Sequence, residues 1–408
     1  MTGPLYNTVM DLDNGSDRFA RLLIEEQAGL NPYLCMGCSS CSAACPASGL
    51  FDMDPQKFIR LLILGQEQEI LNSRWLWICA MCRACVSSCP FSIDIPLIIN
   101  HARMLQRPDA LPRQLQALVS MTSITGNSPG KSPSWFLSVV EGVESALRTQ
   151  PGLAGLTIPV DQKAEILLVM NMNLLLKKPS VLGSYARIFH NAGQSWTISS
   201  FPFDSSCPAF LAGDRAGQRL WQQRIEAVCN DLEIKSCIID DCSNPFTSFG
   251  PKNTASFIPM PSFDIKNSCE LIFDYLEQGR INLHSSIMDA TVTLHDLCNV
   301  QNLQELYDFP RTLLEFFASD FIELGCSKRD SICCGGTLLA AGLEDKAVEF
   351  GKWKADQIKQ SGADTVIVLC ESCYMQIEKL IHSYHLPCKV AFLPEVVADA
   401  LKTQKQTN

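Results

Sequence analysis

The sequence predicts a helical, metal-binding domain followed by two α/β units in tandem. Three observations carry this. Eight cysteines near the start fall into two identical runs. From Glu165 onward, short apolar runs alternate with longer amphipathic stretches, the signature of strands alternating with helices. That second region also repeats itself at an offset of about 127 residues, which points to two similar units packed as a pair.

The first run is Cys35, Cys38, Cys41 and Cys45, followed by Pro46; the second is Cys79, Cys82, Cys85 and Cys89, followed by Pro90. Both read C-x2-C-x2-C-x3-C-P, the bacterial ferredoxin spacing for a pair of 4Fe–4S clusters. Cx2C is also zinc spacing, but two full runs that each end in Cys-Pro argue for iron–sulfur. Three thiolates come from each tight loop, and in this pattern the fourth belongs to the other run. The expected sets are Cys35, Cys38, Cys41 and Cys89 for one cluster, and Cys79, Cys82, Cys85 and Cys45 for the other.

The elements follow in order. The chain begins polar, with a helix expected over 18–26 and stopped by Gly29. Between the runs, Asp54 is the expected N-cap, Pro55 the first helical residue and Gly65 the stop. A second helix is expected over 68–77. A helical insert between the runs differs from the short strands of a compact ferredoxin, so the expected fold is an α-helical ferredoxin domain over 1–106. Pro96 opens a further apolar helix, and Trp75 and Trp77 are expected to shield a cluster. Residues 107–163 are rich in Pro, Ser and Gly and read as a connector with short helices. Strands are expected at 166–170, 195–199, 234–239, 291–295, 321–324, 365–369 and 390–393. Helices are expected at 213–232, 268–278, 311–319, 344–361, 374–383 and 395–402.

The second α/β unit carries Cys298, then Cys333-Cys334-Gly335-Gly336, then Cys370 and Cys373. All fall at strand ends or in the loops that follow. In a parallel sheet those ends gather into one crevice. Five thiols exceed the four of a zinc or cubane site, so they can serve neighbouring irons or let one sulfur bridge. The two glycines allow close backbone approach. The alternative is a set of buried structural thiols or half a zinc site. In the first unit Asn171 stands at the Cys298 position, Ser206 and Cys207 at those of Cys333 and Cys334, and Cys242 and Pro245 at those of Cys370 and Cys373. No complete cluster is expected there. Cys207 and Cys242 are relics or line a pocket facing the C-terminal cluster.

Composition narrows the class. A hydrophobic fraction of 47% and an aromatic fraction of 8% suit a folded chain with a sizeable core. Twenty cysteines without a secretory signal indicate metal in a reducing compartment rather than disulfides. No apolar run is long enough to span a bilayer, so the expected location is cytoplasmic, with any membrane contact made through a partner subunit. The net charge of −10 argues against a nucleic-acid or anionic-lipid surface.

The chain resembles the heterodisulfide reductase-like iron–sulfur proteins, which join a helical two-cluster ferredoxin domain to a tandem pair of CCG (cysteine-rich) domains. It is similar to the iron–sulfur subunits of anaerobic glycerol-3-phosphate dehydrogenase and glycolate oxidase, and to those of sulfite-reduction-associated membrane complexes. The likeness covers most of residues 30–400. Its carriers are the two cysteine runs, Met53-Asp54-Pro55, His295-Asp296-Leu297-Cys298, Cys333 to Gly336, and Cys370-Glu371-Ser372-Cys373-Tyr374. The resemblance implies a fold of α-helical ferredoxin followed by tandem parallel-sheet α/β CCG domains: a connector over 107–163, a degenerate CCG domain over 164–283 and an intact one over 284–408. It also implies a third, noncubane 4Fe–4S cluster on Cys298, Cys333, Cys334, Cys370 and Cys373. The partners implied are a flavoprotein, a membrane cytochrome or a quinone-reactive subunit, and the substrate implied for the reductase branch is a disulfide or thiol. Leu297 and Asn299 depart from the usual Pro and His. The degenerate first unit favours a single-cluster or relay role over cleavage between paired clusters.

His295 lies three residues before Cys298. Either it returns to the cluster and raises its potential through a hydrogen bond to sulfur, or it is a core or solvent-facing histidine. Cys229, Cys237, Cys269, Cys326 and Cys388 read as buried structural thiols. No glycine-rich dinucleotide fingerprint follows a strand, so no flavin or nicotinamide is expected on this chain. No Ser/His/Asp or paired-carboxylate set names a catalytic residue. Three roles fit: an electron-transfer subunit, a disulfide or sulfur-substrate reductase acting at the C-terminal cluster, and a redox sensor or scaffold.

Overall fold

The two cysteine runs fold alike because each needs the same two left-handed residues. Gly37 and Met81, just before the second cysteine of each run, have φ of 75° and 59°. Ser39 and Arg83, just after it, both have φ of 64°. Left-handed backbone is uncommon outside glycine, and its repetition at matched positions fixes two equal loops. Each loop runs into a one-turn helix, Ser40–Ala43 or Ala84–Ser87. The computed structural model describes residues 31–106, 110–201, 203–240, 263–285, 288–298, 300 and 304–402. The helix expected over 18–26, and Cys242, Pro245 and Asn299, lie outside them.

Helix Pro55–Ile63 locks the first loop. Asp54 caps it by accepting from the backbone N–H of Gln56 at 2.8 Å and of Lys57 at 3.0 Å. The Gln56 side chain then donates to the Gly37 carbonyl at 2.7 Å and accepts from the Ser39 hydroxyl at 2.8 Å. The segment expected as one helix over 68–77 is two pieces, Glu67–Leu71 and a 3-10 turn at Arg74–Trp77. Asn72 and Ser73 break it, because the Ser73 hydroxyl caps the second piece at Trp75. Trp75 is buried; its indole donates to the Ala47 carbonyl at 3.0 Å. Helix Ile95–Met104 closes the domain.

The stretch read as a connector with short helices holds two substantial ones, Arg113–Thr125 and Pro133–Arg148, of 13 and 16 residues. The Gly-, Pro- and Ser-rich segment is only the turn between them. The first of these helices buries just Leu115 and Thr122, so its sequence carries little apolar periodicity to read.

Two four-stranded parallel sheets follow. Strands β1 (Ile166–Val169), β2 (Trp196–Thr197), β3 (Ser236–Ile239) and β4 (Asp264–Lys266) run in the order β2-β1-β3-β4. Strands β5 (Met288–His295), β6 (Ala318–Phe321), β7 (Thr365–Val368) and β8 (Lys389–Phe392) run in the order β6-β5-β7-β8. The equal orders make the internal repeat a structural one. The inner strands β1 and β7 are buried along their whole length, as parallel strands covered on both faces should be. Strand β4 has no counterpart among the expected strands; it has three residues, two of them charged. The helix expected over 344–361 is two, Glu344–Phe350 and Lys352–Ser361, parted at Gly351. A Cβ at Gly351 would lie 2.7 Å from the Leu380 side chain and 2.8 Å from the Cys334 carbonyl oxygen.

Polar side chains bolt the parts together. Buried Arg103 donates to the carbonyls of Leu76, Cys79 and Leu211, tying the ferredoxin region to the first α/β unit. Asn100 donates to the Phe210 carbonyl at 2.7 Å. Between the α/β units, Lys178 bridges Glu395 at 2.7 Å and the Tyr374 hydroxyl at 3.0 Å.

Candidate metal centre

Seven of the eight cysteines of the runs fall into two neighbourhoods. Cys41 lies in the field of Cys35 and Cys89. Cys45, from the first run, lies in the field of Cys82 and Cys79, and Cys85 in that of Cys45, Cys79 and Cys82. Burial pushes these thiols up: Cys41 upward, Cys79 to about 11, and Cys45 and Cys85 well above the ordinary range. A buried thiol of this kind gives up its proton only to a positive centre, and iron is such a centre. The donor set therefore fits two 4Fe–4S groups. Cys38 stands apart in being exposed, with Tyr33, Leu34 and Met36 exposed beside it.

The five motif cysteines of the second α/β unit are all buried, none more than 8% exposed. The Cys333 thiol is within hydrogen-bonding reach of Cys298, Cys334 and, from the ferredoxin region, Cys82. Cys334 and Cys373 sulfurs are 3.5 Å apart. Cys370 is the N-cap of helix Glu371–Ser383, its sulfur accepting from the Cys373 N–H at 3.4 Å. Cys333 likewise accepts from the Gly335 N–H at 3.4 Å. The loops meet because of their glycines. Gly335 has φ of 89°, and a Cβ on Gly336 would sit 2.9 Å from the Ser372 carbonyl oxygen. The glycines thus bring one cysteine loop against the other, rather than serving only approach to a metal.

His295 returns to the site. Its ring, Cys334 and Cys373 place ligand atoms within 4.8 Å of one another, all buried. Contacts with Cys333, Cys373 and His295 favour the Cys334 thiolate and hold it well below the ordinary range. The turn after β5 makes this possible, since strand alternation alone would have faced His295 away. The donor chemistry, sulfur-rich, buried and flanked by an imidazole, fits an iron–sulfur group.

The first unit's equivalent place is built differently. The Asn171 N–H and the Ser205 hydroxyl donate to the Glu371 carboxylate at 2.6 and 3.1 Å. An acid from between Cys370 and Cys373 thus reaches across to the position that matches Cys298. Cys207 is buried. It borders a small cavity against helix Arg113–Thr125, with Trp221 and Arg224. Of the five other cysteines, Cys229, Cys237 and Cys269 are buried, whereas Cys326 and Cys388 are half-buried.

Comparison with known proteins agrees with this layout. Residues 32–93 match the 4Fe-4S dicluster domain, and residues 292–378 match the cysteine-rich domain. The chain is 20% identical over 393 residues to the "Probable membrane-anchored ferredoxin" of Chromohalobacter salexigens, covering 85% of this chain and 56% of that protein. It is 22% identical to the EtfAB:quinone oxidoreductase of Syntrophomonas wolfei, covering 76% of this chain and 44% of that protein. It is 28% identical over 107 residues to an iron–sulfur subunit of the CoB–CoM heterodisulfide reductase of Methanopyrus kandleri, covering 26% of this chain and 56% of that one. The chain therefore spans about half the length of each of these three relatives. Among the described residues no helix is long and apolar enough to cross a membrane. The chain is an iron–sulfur protein that joins a 4Fe-4S dicluster domain to a cysteine-rich domain, with relatives among the heterodisulfide reductase-like iron–sulfur proteins.

Proposed function

We propose that this chain is the electron-relay subunit of a heterodisulfide reductase-like complex, carrying single electrons between its dicluster domain and its C-terminal cysteine site. Cys35, Cys38, Cys41 and Cys89 hold one 4Fe–4S group. Cys45, Cys79, Cys82 and Cys85 hold the second. Cys298, Cys333, Cys334, Cys370 and Cys373 hold a third, noncubane group. Iron–sulfur groups supply one-electron chemistry when bound; the chain supplies their order, their dryness and their hydrogen bonds. The observation that carries the reading is the approach of Cys82 to Cys333, which sets the second dicluster site against the third. A single hydrophobic core continues across the same join, with Cys298, Cys333 and Phe350 packed among the ferredoxin residues Cys82 and Cys85.

The row has an open end and a closed end. Exposed Cys38, with exposed Tyr33, Leu34 and Met36 close in sequence, gives the first site a face for a redox partner. Relatives described as an EtfAB:quinone oxidoreductase and as a subunit of a heterodisulfide reductase support partners that handle quinone or disulfide chemistry. The burial of all five C-terminal thiols favours relay over direct attack on a disulfide substrate. Iron analysis with low-temperature EPR on anaerobically prepared protein tests the reading. About twelve irons per chain are expected, falling to about eight in Cys333→Ser with both dicluster signals kept. About eight irons in the unaltered protein, with no third signal, would overturn the third site.

A further inference from the structure

The first α/β unit lacks a full set of cysteines, yet its strand ends are not idle. Four of its residues bond the segment from Leu369 to Glu371 in the second unit, with Cys370 at its middle. Asn171 follows β1, and its N–H donates to a Glu371 carboxylate oxygen at 2.6 Å. Ser205, in the loop after β2, donates its hydroxyl to the same oxygen at 3.1 Å. Asp240 follows β3, and its carbonyl accepts from the Glu371 N–H at 2.8 Å. Asn267 follows β4, and its side-chain amide donates to the Leu369 carbonyl at 3.4 Å. Every residue named is buried. All four partners stand beyond the C-terminal ends of one parallel sheet, the edge at which open α/β sheets hold their ligands. Here that edge holds a cysteine loop.

The bonds fall on both sides of Cys370. Leu369 is fixed through its carbonyl, and Glu371 through its N–H and its carboxylate. Cys370 in turn caps helix Glu371–Ser383, its sulfur accepting from the Cys373 N–H at 3.4 Å. Asn171 stands where a motif cysteine stands in the second unit, but it offers a backbone N–H. Its own side chain caps helix Met172–Lys177, which holds that N–H in place. Buried donors are costly to leave without an acceptor, so the Glu371 oxygen and its two donors keep one arrangement.

We propose that the first α/β unit is the clamp of the C-terminal site: through Glu371 it sets the Cys370–Cys373 loop in place and thereby tunes the group that Cys298, Cys333, Cys334, Cys370 and Cys373 hold. The inference rests on the reading that those five cysteines bind an iron–sulfur group. Hydrogen bonds and exposure at the ligand sulfurs set the properties of such a group, and both change when the loop shifts. Glu371 is a positioning residue. It makes no bond to metal and acts through the cysteines that flank it.

Glu371→Leu removes the accepting oxygens. Glu371→Gln keeps one for both donors, since both bonds meet the same oxygen. The test is an EPR-monitored redox titration with iron analysis on the intact holoprotein. In Glu371→Leu the third signal should change line shape and shift by at least about tenfold in its reduction equilibrium, ~59 mV for one electron. Loss of that signal at about eight irons, with both dicluster signals kept, would support the clamp equally. Glu371→Gln should restore the line shape. Ser205→Ala, altered in the first unit alone, should move the third signal in the same direction as Glu371→Leu. Arg187→Leu is the control. It cuts the 2.8 Å bond to Asp399, another tie between the two units, and should leave the third signal in place. About twelve irons and an unmoved third signal in Glu371→Leu and Ser205→Ala would overturn the clamp while leaving the cluster reading intact. A third signal that moves as far in Glu371→Gln as in Glu371→Leu would overturn it too, because charge and not position would then be at work. So would a third signal that moves in Arg187→Leu. If Glu371→Leu fails to fold, Ser205→Ala decides alone. About eight irons in the unaltered protein would instead overturn the cluster reading, and the inference with it.

Discussion

Asp240 shows what a buried acid does at the join of the two α/β units. Its carboxylate accepts from the Ser268 N–H at 2.7 Å and from the hydroxyls of Ser268 and Tyr185, and its carbonyl accepts from the Glu371 N–H at 2.8 Å. Burial raises its pKa to about 6, against the pull of those hydrogen bonds, and Glu270 adds to the rise. The folded protein therefore binds this proton more tightly than the unfolded chain does. The stabilisation is complete below the unfolded value near 3.9 and is lost as pH climbs through about 6. Its size is on the order of 3 kcal/mol. Asp240→Asn should remove this dependence. Thermal melts at pH 5 and pH 8 should show the variant gaining on the unaltered protein at the higher pH. An equal gap at both would mean that Asp240 does not titrate in this way. At this scale the sequence was most legible for the cysteines, because their spacing is itself the chemistry. Glu371 was not legible. It matters for what packs against it from another part of the chain, and no local pattern encodes that.

Among the elements, the meeting of two cysteine loops decides whether the C-terminal site forms. Helix Gly336–Ala340 starts against the Ser372 carbonyl, and the missing side chain of Gly336 is what permits it. Alanine is the better helix former by about 1 kcal/mol, yet its methyl would sit 2.9 Å from that carbonyl oxygen. Gly336→Ala should therefore push Cys333 and Cys334 away from Cys370 and Cys373. Iron analysis should find about eight irons with the dicluster signals unchanged. About twelve irons and an unmoved third signal would contradict the argument. Apart from β6, which lies at Ala318–Phe321 rather than 321–324 because exposed Ser319 and Asp320 interrupt the apolar run, the strands of both sheets were readable as apolar runs between helices. β4 was not, since a three-residue strand with charged ends has no period to detect. The helix break at Gly351 was also hidden: the Leu380 side chain and the Cys334 carbonyl come close to that glycine from other parts of the chain.

Across the whole molecule, the fold brings cysteine groups of different exposure against one another. The dicluster region is held to the first α/β unit by Arg103 and Asn100, and its second cysteine run touches the second unit at Cys333. The tandem repeat was visible in the sequence as an offset, and the losses in the first unit were visible as Asn171 and Ser206. That the retained site would be the one against the dicluster was not visible, since it depends on how three regions pack. Cys333 of the retained site lies within reach of Cys82, which gives the asymmetry between the units a physical sense. On the proposed reading the second dicluster site and the C-terminal site are electronic neighbours. EPR of the holoprotein, poised where both groups are paramagnetic, tests it directly. The contact between Cys82 and Cys333 predicts that the two signals broaden or split each other, and that Cys333→Ser leaves the dicluster signals sharp. Two signals that simply add, with no mutual broadening at any temperature, would contradict the relay.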